Sequence, residues 1–101
     1  GFQQIEYGAG ETIKSLRGHK ITLVGNKFYI CGGIEEPSKE VIQQSPCFEF
    51  YGHSSKIKRL ESMISQRQYM ATIPINKSEI YCIGGKGKFV QYKTIEKFHI
   101  A

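Results

Sequence analysis

The residues that could do chemistry in this chain are few and scattered. His53 precedes Ser54 and Ser55, with Ser65 farther on, a set from which a nucleophile and a base could be drawn. That chemistry needs a nucleophile elbow and a spaced acid to orient the base. Neither is present, and turn residues explain these positions better. The run Gly84-Gly85-Lys86-Gly87-Lys88 has the glycines and lysines of a phosphate loop but not the Walker spacing or a following helix. His53 and His99 stand apart from any paired carboxylate or cysteine pattern, which argues against a metal site. Cys31, Cys47 and Cys82 include no Cys-x-x-Cys pair, and two of them sit in apolar runs. They read as buried free thiols behaving as small hydrophobes in a reducing compartment, with no disulfide among them. Tyr29 and Tyr81 read as buried strand tyrosines whose hydroxyls need a partner. The expectation is a chain without catalytic residues, metal or cofactor.

The elements that position these residues are short strands, and they repeat. Lys27-Phe28-Tyr29-Ile30-Cys31-Gly32-Gly33 and Glu79-Ile80-Tyr81-Cys82-Ile83-Gly84-Gly85 are β-rich runs closed by glycine doublets, 52 residues apart. Ahead of each lies a partner run, Ile21–Val24 before Gly25-Asn26 and Met70–Ile73 before Pro74. Asn26-Lys27 and Asn76-Lys77-Ser78 supply the turn residues of two hairpins. A third run follows each doublet after a polar loop, Cys47–Tyr51 and Thr94–Phe98, and Lys56–Leu60 forms a fourth in the first unit. Continuous apolar character in Phe28–Cys31 and Ile80–Ile83 predicts strands covered on both faces. The doublets predict places where backbones crowd or φ turns positive.

A length of 101 residues suits one domain, and 40% hydrophobic with 23% charged residues suits a folded chain. No stretch approaches the roughly 18 apolar residues of a transmembrane helix. The first residues lack the basic and apolar regions of a signal peptide. The net charge of +5 reads first as solubility, with preference for an acidic partner as the sharper alternative. The lysines are spread from Lys14 to Lys97 rather than gathered in one patch, which argues against nucleic acid.

Tyr29-Ile30-Cys31-Gly32-Gly33 and Tyr81-Cys82-Ile83-Gly84-Gly85 resemble the kelch repeat, whose inner hairpin ends in Tyr, two hydrophobics and Gly-Gly. Cys47-Phe48-Glu49-Phe50 and Ile95-Glu96-Lys97-Phe98 are similar to its third strand. Ile57, Leu60, Met63 and Arg67 fall at the spacing of the Trp, Leu, Met and Arg that lead into the next repeat, with Ile57 where the family usually has Trp. The resemblance implies an all-β fold: a β-propeller segment of roughly two four-stranded antiparallel blades plus part of a preceding blade. It divides the chain into outer strands of that preceding blade (1–18, with Ile5–Tyr7, Ile13 and Leu16), a first repeat (19–66) and a second, incomplete repeat (67–101). A propeller needs about 4–8 blades to close, so the remaining blades are expected from the same parent chain or from other chains.

The resemblance further implies a protein–protein interaction module, a scaffold or cytoskeleton-associated component in the cytoplasm. The alternatives are the substrate-recognition part of a ubiquitin-ligase adaptor, a polyanion-binding module, and an enzyme of the copper-radical propeller type. The last is set aside because it needs secretion and metal ligands. Partners of such proteins bind where the loops after second strands meet the connections between blades. That end carries Arg17, His19, Glu35, Glu36, Gln66, Arg67, Lys86 and Lys88 as candidate partner-binding residues, with Gly32, Gly33, Gly84 and Gly85 as the structural doublets. Its first loop begins acidic and its second is basic, a contrast a protein partner could read. His19 and Arg67 hold equivalent positions before successive first strands, where packing between repeats competes with contact to a partner.

Overall fold

Alternation of apolar and polar residues around short turns makes strands here, and the strands assemble into two antiparallel sheets. The computed structural model describes residues 1–3, 15–36, 44–51 and 56–100. In the first sheet β1 (Ser15–Val24) pairs with β2 (Lys27–Glu36), β2 with β3 (Cys47–Tyr51), and β3 with β4 (Ile57–Arg59). In the second, β5 (Ala71–Asn76) pairs with β6 (Glu79–Ile83) and β6 with β7 (Ile95–His99). No helix occurs among the described residues, so none there is long and apolar enough to cross a membrane.

Both expected hairpins form, and they lie in separate sheets. Gly25 takes φ of 65° in the two-residue turn between β1 and β2, a conformation without steric cost for glycine. The strands outrun their expected limits. β1 begins at Ser15, so Ser15, Leu16 and Arg17 pair with β2. Residues 4–14, which carry the rest of that expected unit, lie outside the described residues. β5 runs past Pro74 to Asn76 with a register shift between them, and the turn falls at Lys77-Ser78. An edge strand tolerates proline because one side of its ladder is unpaired, and β5 is an edge strand.

The register makes the repeat explicit. The pair Ile21↔Ile30 corresponds to Thr72↔Cys82, Thr22↔Tyr29 to Ile73↔Tyr81, Cys31↔Cys47 to Ile83↔Ile95, and Phe28↔Phe50 to Ile80↔Phe98. Equivalent strands nevertheless bury opposite faces. Tyr29, Cys31 and Cys47 of the first sheet pack with Ile80 and Cys82 of the second, joined by Met63 and Met70 from the connecting segment. At the contact Thr22 Oγ1 donates to Thr72 Oγ1 at 2.6 Å, and the Tyr29 and Phe98 rings lie 6.3 Å apart. This layering positions the loops at the sheet ends.

Two expectations are overturned. Phe28–Cys31 and Ile80–Ile83 are buried on one face only, their residues alternating between buried and half-buried. Cys31 and Cys47 are joined by a disulfide, with Cα atoms 4.1 Å apart, and only Cys82 is a free thiol. The reason is register. Gly32 N donates to Pro46 O at 2.9 Å, so Cys31 and Cys47 face each other at the adjacent non-hydrogen-bonded position, where side chains approach most closely. Sixteen residues separate the two in sequence, and spacing alone carries no sign of that pairing.

Candidate functional site

The second doublet follows the end of β6, whereas the first lies within β2, which runs on to Glu36. Gly32 and Gly33 take φ of 85° and 82°, and Gly84 and Gly85 take 67° and 85°. A Cβ on Gly33 would stand 2.6 Å from Arg17 O, and one on Gly85 would stand 2.6 Å from Gln68 O. Glycine is therefore required at both places for space as well as for φ. The backbone approach it permits brings the strand ends against the connecting segment 60–70: Gly33 N donates to Arg67 O at 2.6 Å, and Gln68 and Lys86 exchange backbone bonds of 2.8 and 2.9 Å.

Arg67 holds that segment to the second sheet. Its Nε donates to Glu96 Oε2 at 2.8 Å. Nη1 donates to the carbonyls of Gly84 and Thr94 at 2.9 and 2.8 Å, and Nη2 donates to Thr94 Oγ1 at 2.5 Å. The guanidinium also lies 4.4 Å from the Tyr92 ring centre. Glu96 accepts in addition from the backbone N–H groups of Ile64 and Ser65, at 2.6 and 3.1 Å. The buried Ser45 hydroxyl completes the joint, accepting from Arg67 N at 2.8 Å and donating to Gly33 O at 2.7 Å. With four of its five N–H groups donating and the side chain only 2% exposed, Arg67 ties the connecting segment to the second sheet and presents almost nothing to a partner.

The other candidates divide by exposure. Gln66 is buried like Arg67, and its Oε1 has no hydrogen-bond donor among the described residues. Arg17 and His19 are exposed on β1. The acidic start of the first loop is internally neutralised: Glu36 pairs with Arg17 at 3.0 Å, and Glu35 takes a two-pronged contact from Arg59 at 2.8 and 2.9 Å. Lys86 and Lys88 are exposed and pair with no carboxylate among the described residues. His53, Ser54 and Ser55 lie outside the described residues, as does 37–43 of the first loop.

Aromatic and aliphatic side chains that sequence reasoning passed over surround the two lysines. Lys86 Nζ stands 5.2 Å from the ring of Tyr69, and Lys88 Nζ stands 5.5 Å from that of Phe89, both rings exposed. Tyr69 has φ of 55°, and among the described non-glycine residues it alone is positive. The bond from Tyr69 N to Gly18 O, 2.9 Å, and the adjacent Gln68–Lys86 pair hold it in this costly conformation. The 86–93 loop is braced by Gly87 N to Val90 O at 2.8 Å and Tyr92 N to Gly85 O at 2.9 Å. Phe89, Val90, Ile64, Gln66 and Lys88 line a groove of about 290 Å³ between this loop and the connecting segment. The Phe89-Val90 pair between Lys88 and Lys93 was a visible signal, since apolar residues in a basic surface loop have no core to fill. Nothing in the sequence marks Tyr69.

No family model matches the chain, and no curated protein matches it. The arrangement is therefore read on its own chemistry. Burial raises the Tyr29 phenol, helped by the Glu49 charge, and pushes the Cys82 thiol up to about 11. Both groups belong to the core between the sheets, remote in role from the loop end. Among the described residues no group of three His, Cys, Asp or Glu side chains is placed to hold a metal ion. What the loop end presents is a basic, aromatic-rich surface beside a shallow groove with an unused buried acceptor.

Proposed function

We propose that this chain is a protein-binding module, a segment of a kelch-like propeller, whose loop end takes an acidic partner segment bearing an apolar side chain. The observation that carries the reading is the charge contrast at that end. Glu35 and Glu36 are held by Arg59 and Arg17, whereas Lys86 and Lys88 meet no carboxylate among the described residues and lie over the rings of Tyr69 and Phe89. Aromatic side chains next to unspent cations are the composition of interface hot spots, and complementary charge sets on-rate and partner choice. The Gln66 acceptor adds a place for a partner N–H. The propeller part of the reading is supported by two equivalent antiparallel sheets stacked through β1 and β5. The Cys31–Cys47 bond removes the argument for a reducing compartment, which rested on three free thiols.

The test is fluorescence anisotropy with a labelled acidic peptide carrying one Leu or Phe, against its Lys-substituted counterpart. Saturable binding of the acidic peptide alone, lost in Lys88→Glu and weakened about tenfold or more in Phe89→Ala, is the expected result. Heparin binding as well as the peptide, with Phe89→Ala harmless to both, would mean a polyanion-binding module instead.

A further inference from the structure

The buried contact between the sheets uses one face of each, and the register shows what the other two faces are. The unused face of the second sheet carries Ile73, Tyr81, Ile83 and Ile95, the equivalents of Thr22, Tyr29, Cys31 and Cys47, which dock internally from the first sheet. The unused face of the first sheet carries Ile21, Phe28, Ile30 and Phe50, the equivalents of Thr72, Ile80, Cys82 and Phe98, which dock internally from the second. Each outer face thus repeats one half of an interface already formed inside the chain. Each exposes apolar side chains to water, Ile21 57% and Leu23 54% on β1, Ile73 45% on β5 and Ile95 55% on β7, while Glu79, Lys97 and His99 form a charged cluster at one end of the second face. Exposure of this kind at two opposite flanks marks surfaces built to be covered.

We infer that the occupant is a second copy of this chain, docked head to tail: the Ile73–Ile83 face of one copy covers the Ile21–Ile30 face of the next. Side-chain chemistry supports the pairing. Inside the chain, Thr22 meets Thr72 through a hydrogen bond of 2.6 Å. At the equivalent external contact the two positions are Ile73 and Ile21, so a polar pair is replaced on both sides at once by an apolar pair. Tyr29 against Phe98 becomes Tyr81 against Phe50, again a match of size and type. The disulfide and the Cys82 thiol become Ile83 and Ile95 against Ile30. A heterologous contact of this sort leaves one face free at each end, so it continues into a closed ring or an open filament. The loop-end residues of the proposed function take no part in it.

Analytical ultracentrifugation of the whole chain and of two exposed-site variants tests this. Wild type is expected to sediment well above its 11.5 kDa monomer at micromolar and higher concentrations. Leu23→Lys disables one face and Ile95→Lys the other, so each variant alone is expected to stay monomeric while keeping its β-sheet circular dichroism. Mixed in equal amounts, the two are expected to form a heterodimer and nothing larger, because each still has one sound face. Ile21→Lys and Ile73→Lys provide the same two arms should either first variant lose its β-sheet spectrum. A monomeric wild type overturns the inference. So does self-association of either variant alone, which would show a two-fold contact, or a mixture of the two that stays monomeric.

Discussion

Replacing Arg67 by alanine should unlock the joint between the two sheets. The change removes five interactions at once: the Glu96 pair, two carbonyl contacts, the Thr94 hydroxyl contact and stacking on Tyr92. The arginine side chain is 2% exposed and that of Glu96 11%, so water compensates poorly for what is lost. Breaking a buried pair from one side costs about 3–5 kcal/mol, because the remaining charge stays desolvated. Glu96 keeps its bonds from Ile64 and Ser65, which places the expected loss near the lower bound, about 3 kcal/mol. That is a large part of the roughly 5–15 kcal/mol that holds a domain together. In urea, with a slope of about 1–3 kcal/mol per molar, the midpoint should fall by about 1–3 M. Arg67→Lys should recover less than half, since one ammonium cannot reach Glu96, Gly84 and Thr94 together. Parallel measurements on Glu96→Gln and the double variant give the coupling directly. A loss under about 1 kcal/mol with an unchanged slope is what an exposed pair gives, and it would refute the role assigned here to Arg67.

Other outcomes follow from the same contacts. Without reductant the chain should weigh two hydrogens less than its reduced form and, once denatured, react with one thiol reagent per chain rather than three. In the folded state Cys82 should alkylate far more slowly than a free cysteine, because at pH 8 a thiol raised to about 11 holds only about one thiolate in a thousand. Folding raises Cys82 from 9.0 to about 11 and raises Tyr29 as well, so both favour the native state while protonated. That contribution is whole below pH 9 and is lost as pH climbs toward about 11, and Cys82→Ala should flatten part of the slope in a pH series of denaturant melts. Gly33→Ala should cost roughly 3 kcal/mol or more, since its Cβ strikes the Arg17 carbonyl. Gly25→Ala, whose Cβ meets open space, should cost only the backbone strain of about 1–2 kcal/mol, read from the same melts.

The periodic features of the fold were legible because they are local. The doublets, the hairpin turns and the third strands each follow from a few neighbouring residues whose size and φ preferences agree. What stayed hidden depends on register between distant segments. Cys31 and Cys47 look like two unrelated hydrophobes until β3 is laid on β2, and then they are opposite each other. Arg67 looks like a surface cation at a strand start, and nothing near it in sequence announces Glu96 or Thr94, 29 and 27 residues away. Its reading as a partner-binding residue and as a packing residue were separable only once its donors had been placed. The acidic loop start misled for the same reason, because the arginine that takes up Glu35 comes from β4. Lys86 and Lys88 were legible as basic, but their significance comes from what fails to pair with them.

The two surfaces reinforce each other if the chain assembles head to tail. Each doublet lies at the same end of its sheet, and the docking step repeats the internal relation between sheets. In a closed ring every copy then presents its 86–93 loop and connecting segment on one common side. A loop end that binds an acidic segment weakly as a single copy becomes one of several aligned sites, and a partner with repeated segments meets them at an effective concentration set by its own spacer. The apolar flanks and the basic loop end therefore serve different steps. Burial at the flanks fixes how many sites there are and how far apart they stand, while charge and aromatic contact at the loops decide what is held.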